Sequence, residues 1–149
     1  MGILTTVKMS LFDAPEGSIL IHAANSQGVW GSGIAKEMKE RFPLAFRRYN
    51  AQCSTYLMTG QYDLTFDKTH HIASIVTSNN YGEKVDSPEE ILVNTTIAIY
   101  ELLKYADKKL PIYSNKFNSG LFRVPWFKTE EIIKVFVKQY DLNWVVCEL

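Results

Sequence analysis

Ile19-Leu20-Ile21-His22-Ala23-Ala24-Asn25, followed by Gly28-Val29-Trp30-Gly31-Ser32-Gly33-Ile34-Ala35, is an apolar run that passes through glycines into a helical pattern. The arrangement recurs far along the chain as Pro111-Ile112-Tyr113, then Asn118-Ser119-Gly120-Leu121-Phe122-Arg123-Val124-Pro125-Trp126. A strand that ends in glycines and opens a helix presents bare backbone N–H groups at a positive helix terminus, a geometry that holds phosphate. Two such loops at neighbouring strand ends can hold a diphosphate between them. Neither is a Walker A loop, because no Gly-Lys-Ser/Thr follows. Neither is a GxGxxG unit with a ribose-binding acid. Nucleoside triphosphates and the usual dinucleotide cofactors are therefore disfavoured.

Around these loops, apolar runs alternate with helical patterns. Residues 3–8 read as a first strand and residues 18–23 as a strand buried on both faces. From Gly33, the apolar residues Ile34, Ala35, Met38 and Phe42 fall at helical spacing, and Pro43 restarts the pattern through Phe46, Tyr49 and Cys53. Residues 61–66 and 71–76 read as a hairpin turning at Asp67-Lys68-Thr69-His70. Ser87-Pro88-Glu89-Glu90 is a helix start, with Ser87 as cap and Pro88 in the first helical position. Residues 110–113 form a strand, residues 129–140 a helix and residues 143–148 the final strand. The expected fold is α/β: a mixed sheet covered on both faces.

At 149 residues, the length predicts one domain, residues 1–149, able to bury a core without staples. Lys plus Arg and Asp plus Glu both number 16, so net charge is zero, which argues against a surface that coats nucleic acid. Cys53 and Cys147 show no metal-binding spacing and read as free thiols of a reducing compartment. The first residues lack a signal-peptide pattern, and no apolar stretch approaches membrane-spanning length. An intracellular, cytoplasmic, soluble monomer with no membrane partner is expected.

Three side chains stand where chemistry is expected. His22 closes the strand beside the first glycine loop, and strand ends are where α/β sheets bind ligands. It reads either as an acid–base group or as a half-buried histidine bonded to backbone. Asn25 reads either as a turn residue or as a carboxamide aimed at a ligand hydroxyl. Phe122, beside Gly120, is placed to touch a sugar or base. Trp126 reads as packing, and His70 and His71 as surface or strand-end residues.

At these residues the chain resembles the macrodomain family, modules that bind ADP-ribose. Within that family it looks like the fungal-type ADP-ribose 1''-phosphate phosphatases. The resemblance runs roughly from Leu4 to Leu149. It is carried by His22-Ala23-Ala24-Asn25 through Gly31-Ser32-Gly33-Ile34-Ala35, and by Asn118-Ser119-Gly120-Leu121-Phe122 ending in Val124-Pro125-Trp126. It implies a three-layer α/β/α sandwich and hydrolysis of ADP-ribose 1''-phosphate to ADP-ribose and phosphate, with Asn25 binding the distal ribose; His22, as nucleophile, water-activating base or leaving-group acid, and Asn25 are the expected catalytic residues. Gly31, Ser32, Gly33, Ile34 and Ala35 would wrap the distal ribose and one phosphate. Asn118, Ser119, Gly120, Leu121 and Phe122 would wrap the diphosphate from the other side, with Thr77 adjoining and Leu149 packed on adenine.

No cofactor and no metal are expected. The partner would be ADP-ribose or its 1''-phosphate. A non-catalytic reader of ADP-ribose, and a hydrolase acting on ADP-ribosylated protein or nucleic acid, are the alternatives. Two departures stand out. Many macrodomains carry a Gly-Asp pair whose carboxylate takes the adenine amino group. Met9-Ser10 stands there instead, so backbone groups at Ser10 and Leu11 are expected to substitute. The lysine–aspartate pair of the ADP-ribosyl-glutamate hydrolases is replaced by Thr77-Ser78-Asn79 and Phe122.

Overall fold

The run at β2 (Ile19–Asn25) is buried along nearly its whole length, as a strand with helices on both faces must be. The computed structural model describes residues 2–149, and in it β2 lies inside a six-stranded sheet. The other strands are β1 (Ile3–Lys8), β3 (Tyr62–Asp67), β4 (His70–Ser78), β5 (Ile112–Ser114) and β6 (Asn143–Glu148). The order is β1-β6-β5-β2-β4-β3. All neighbours are parallel except the hairpin β3–β4. That hairpin is tighter than its turn residues suggest: Asp67 pairs with His70, leaving Lys68 and Thr69 as the turn, with Lys68 at φ 60°.

The helices are α1 (Gly33–Arg41), α2 (Pro43–Cys53), α3 (Pro88–Tyr105) and α4 (Trp126–Tyr140). Period-2 alternation divides the strand side chains between two cores. Ile19, Ile21, Ala73, Ile75, Trp144 and Val146 face α3 and α4. Leu20, Ala24, Ile72, Val76 and Cys147 face α1 and α2, together with Trp30, Met38 and Tyr49. The result is the α/β/α sandwich with a mixed sheet that the sequence predicts. The Ser87 cap forms as read, accepting from Glu90 N at 3.2 Å while its hydroxyl donates to Glu90 Oε1 at 2.9 Å. The last helix starts three residues earlier than its apolar pattern, at Trp126 after Pro125, because proline disfavours a helical residue before it and suits a helix entrance.

Chain direction places the site. β2 leads into α1 on one face, whereas the neighbouring β5 leads into α4 on the other. The chain therefore diverges at the carboxyl ends of β2 and β5, the switch point where open parallel sheets bind ligands.

The break between α1 and α2 has a stabiliser with no local signature. Asp67, buried at the end of β3, accepts from Leu44 N at 2.9 Å and Ala45 N at 3.1 Å. It satisfies two of the free N–H groups that open α2, where no cap side chain does so. Asp67→Ala is expected to lower unfolding free energy by about 1–2 kcal/mol, read as a shift in urea midpoint. A change within error would show that water caps α2 equally well.

Candidate active site

The cleft at the switch point has a volume of about 610 Å³. One wall is the first loop and the start of α1, residues 31–35, and the other is residues 118–122. The ends of β2 and β6 form its floor and one end. Every residue expected from the two glycine loops lines it.

No side chain caps α1: Ser32 holds the N-cap position with its hydroxyl unused in capping. The first N–H groups of the helix are thus left to the cleft, at the positive end of its dipole. Gly33 sits at φ +60°, a conformation that L side chains rarely adopt. Gly120 differs, because a Cβ there would meet nothing within 4 Å and its φ carries no such constraint. Its missing side chain leaves cleft space rather than permitting a turn.

The second loop is held from beneath. Asn118 has φ 68°, unusual for a non-glycine residue, and is 4% exposed. Thr77 Oγ1 donates to Asn118 Oδ1 at 2.8 Å. Asn118 Nδ2 donates to Thr95 Oγ1 at 2.9 Å and lies 3.4 Å from Thr129 Oγ1. Asn118 O accepts from Val124 N at 2.9 Å. β4, α3 and α4 are thereby tied to one carboxamide. Thr77 does not line the cleft; it is fully buried and acts through Asn118.

The structure sets the two expected catalytic side chains in different surroundings. His22 does not line the cleft. It is fully buried on the α1–α2 side, sharing a face with Leu20 and Ala24, and Trp30 covers it edge-on with ring centroids 4.6 Å apart. Its Nε2 is hydrogen-bonded to Ser74 Oγ at 2.8 Å. Burial lowers its pKa to about 3 against a backbone hydrogen bond that raises it, so the ring is neutral and enclosed at physiological pH.

Asn25 reaches the cleft floor, but its carboxamide closes around its own loop. Oδ1 accepts from Gln27 N at 3.0 Å and Val29 N at 3.3 Å, and Nδ2 donates to Val29 O at 2.8 Å. The Tyr49 hydroxyl lies 3.1 Å from the same oxygen and also bonds the Asn25 carbonyl. The Asn25 carboxamide thus shapes its own loop at the cleft floor.

The residues expected at adenine stand outside the lining of the cleft. Ser10 caps a short 3-10 turn over Leu11–Asp13 by accepting from Phe12 N, and Leu11 is core. Leu149 is 94% exposed. None of these three lines the cleft; Cys147, Glu148, Asn115 and Lys116 do. The Cys147 thiol, raised to about 11 by burial, is protonated at neutral pH. His70, read as a strand-end residue, is buried, with Nε2 2.8 Å from Ala14 O. Among the described residues no group of three or more His, Cys, Asp or Glu is placed to hold a metal, and no helix is long and apolar enough to cross a membrane.

This cleft belongs to a known class. The Macro domain family model matches residues 21–133, so the chain belongs to the macrodomain family. Proteins named ADP-ribose 1''-phosphate phosphatase are similar to it: one from Aspergillus clavatus is 31% identical over 89% of each chain. Another, from Meyerozyma guilliermondii, is 30% identical over 90% of this chain and 94% of its own. The fold matches the macrodomain of Thermus aquaticus DarG, with TM-score 0.79, 20% identity and full coverage of both chains. It also matches Thermosipho africanus DarTG in complex with ADP-ribose, with TM-score 0.77 and 16% identity over 98% of this chain and 42% of that one.

The placement of His22 has a pH signature. The unfolded imidazole takes a proton near its ordinary 6.5, whereas the folded one resists until about 3. Stability is therefore whole above that ordinary value and is progressively lost as pH falls from 6.5 towards 3. The His22 ring resonances are expected not to titrate between about pH 5 and 8. A midpoint between about 6 and 7 would place the ring in contact with solvent.

Proposed function

We propose that this chain hydrolyses ADP-ribose 1''-phosphate to ADP-ribose and phosphate. The observation that carries the reading is the pair of backbone-lined loops facing one another at the switch point, in a chain similar to fungal phosphatases of that name. The diphosphate would lie between residues 31–35 and 118–122, with the distal ribose and its phosphate against the start of α1. Peptide N–H groups and the helix dipole would then stabilise charge on the phosphoryl oxygens. With His22 enclosed, the attacking water would be oriented by backbone groups and by the substrate's own phosphate oxygens.

That enclosure also favours a second reading, a module that binds ADP-ribose without turning it over. Phosphate release from ADP-ribose 1''-phosphate separates the two. Multiple turnovers support the phosphatase, and tight ADP-ribose binding without release supports the reader. Either way, ADP-ribose at one hundred times its dissociation constant is expected to stabilise the fold by about 2.7 kcal/mol. An unmoved melting curve would remove both.

Gly120→Val is the cleaner loop variant, because its backbone tolerates a side chain that only fills the cleft. It is expected to melt like wild type and to lose ADP-ribose binding in calorimetry. Gly33→Val adds backbone strain at φ +60° and tests two things at once. Wild-type affinity in a folded Gly120→Val protein would place the diphosphate elsewhere.

A further inference from the structure

We propose that β3 is a dimer interface: two copies of this chain pair their β3 strands antiparallel about a two-fold axis at Leu64 and join their sheets into one. The proposal is independent of the ligand cleft and takes the place of the monomer expected from the sequence. β3 is the outer strand on one side of the sheet, with β4 as its one neighbour. Its register shows which main-chain groups are already used. Val76 N donates to Gln61 O at 2.9 Å, and Asp67 stands opposite His70 at the hairpin turn. His71, opposite Phe66, sends its N–H the other way, to Ser18 O at 3.0 Å. Hydrogen-bonded pairs alternate along an antiparallel ladder, so residues 61, 63, 65 and 67 face β4. The N–H and C=O groups of Tyr62, Leu64 and Phe66 therefore point outward from the sheet. Among the described residues no loop backbone pairs with them.

Open strand edges pair with other chains unless lysine, proline or a covering segment blunts them. The opposite edge strand, β1, ends in Lys8. β3 carries no lysine, arginine or proline between Tyr62 and Asp67. Its two carboxylates are turned towards α2 and occupied: Asp63 accepts from Thr65 Oγ1 at 2.7 Å, and Asp67 accepts from the start of α2. The other face of the strand presents Tyr62, Leu64 and Phe66, and Phe66 is 52% exposed. Ile97 of α3 packs on Gly60 just before the strand, and Glu101 and Tyr105 stand beside Tyr62. Ile97 and Tyr105 are themselves exposed, so an apolar band of α3 runs along this edge.

The order of side chains fits a second copy. About an axis at Leu64, Tyr62 of one copy lies opposite Phe66 of the other, and Leu64 lies opposite Leu64. Each is a pair that exchanges two main-chain hydrogen bonds. Aromatic and aliphatic side chains placed opposite one another attract. On the α2 face Asp63 meets Thr65, and at the ends Gln61 meets Asp67, so no two carboxylates are opposed. A contact in which residue 62 meets 66 and residue 66 meets 62 is closed and stops at two copies.

Sedimentation of the full chain over a range of concentrations tests the assignment. Wild type is expected to show a reversible monomer–dimer equilibrium. Phe66→Glu changes an exposed side chain and sets a carboxylate against Tyr62 and Glu101 of the other copy. It is expected to melt like wild type and to weaken association about tenfold or more. Leu64→Pro removes the N–H at the axis, where an edge strand tolerates proline, and is expected to weaken association similarly. Leu64→Cys under mild oxidation is expected to give a covalent dimer beyond any that Cys53 and Cys147 give in wild type, because paired α-carbons about 5.5 Å apart can be bridged. A wild type that stays monomeric up to about 1 mM overturns the assignment and leaves the edge to an extended segment of a different protein. A dimer unaffected by Phe66→Glu and Leu64→Pro overturns it as well, by placing the interface elsewhere.

Discussion

The wall of the cleft depends on one carboxamide that fixes a left-handed turn of its own backbone. Asn118 sits in the left-handed region, where a side chain with a Cβ is strained. It stays there because Thr77, Thr95 and Thr129, from three separate elements, surround its amide. A half-satisfied network of this kind is costly and a satisfied one rigid. Here both ends of the amide are occupied, and the strain is held by secondary structure that forms for other reasons. The reward is at residues 119–122, whose backbone turns outward over the floor made by β2.

The first loop is built on the same plan with different parts. Asn25 spends its carboxamide on Gln27, Val29 and Tyr49, and His22 braces Ser74 beneath Trp30. In both loops these side-chain amides turn inward and fix the main chain that faces the cleft. A lining of peptide groups is preorganised by the fold.

Much of the architecture was legible because it is local. Ser87 and Pro88 announce α3, the break at Phe42-Pro43 appears as two helices, and continuous apolar runs mark the inner strands. The two loops were legible for the same reason: glycine, strand and helix follow one another in the chain. The surroundings of His22 were not legible, because a strand end does not say on which face its side chain lies. Parity places it with Leu20 and Ala24, under an indole from the following loop. The Asn118 network was invisible, since its threonines lie 11, 23 and 41 positions away. The 3-10 turn that Ser10 caps and the exposure of Leu149 had no signal in the sequence pattern.

β1 and β6 couple the cleft to how the chain is assembled. β1 is an edge strand whose only sheet neighbour is β6, with Ile3 opposite Asn143 and Lys8 opposite Glu148. The earliest strand in sequence must wait for the latest before it can pair, and β6 must slot between β1 and β5. Such closure is entropically unfavourable and slows folding. During synthesis the middle of the sheet is free to gather while β1 trails as an unpaired ribbon. The cleft wall at Cys147 and Glu148 is therefore the last part of the pocket to be laid down. Ligand affinity should thus appear late in folding, together with completion of the sheet.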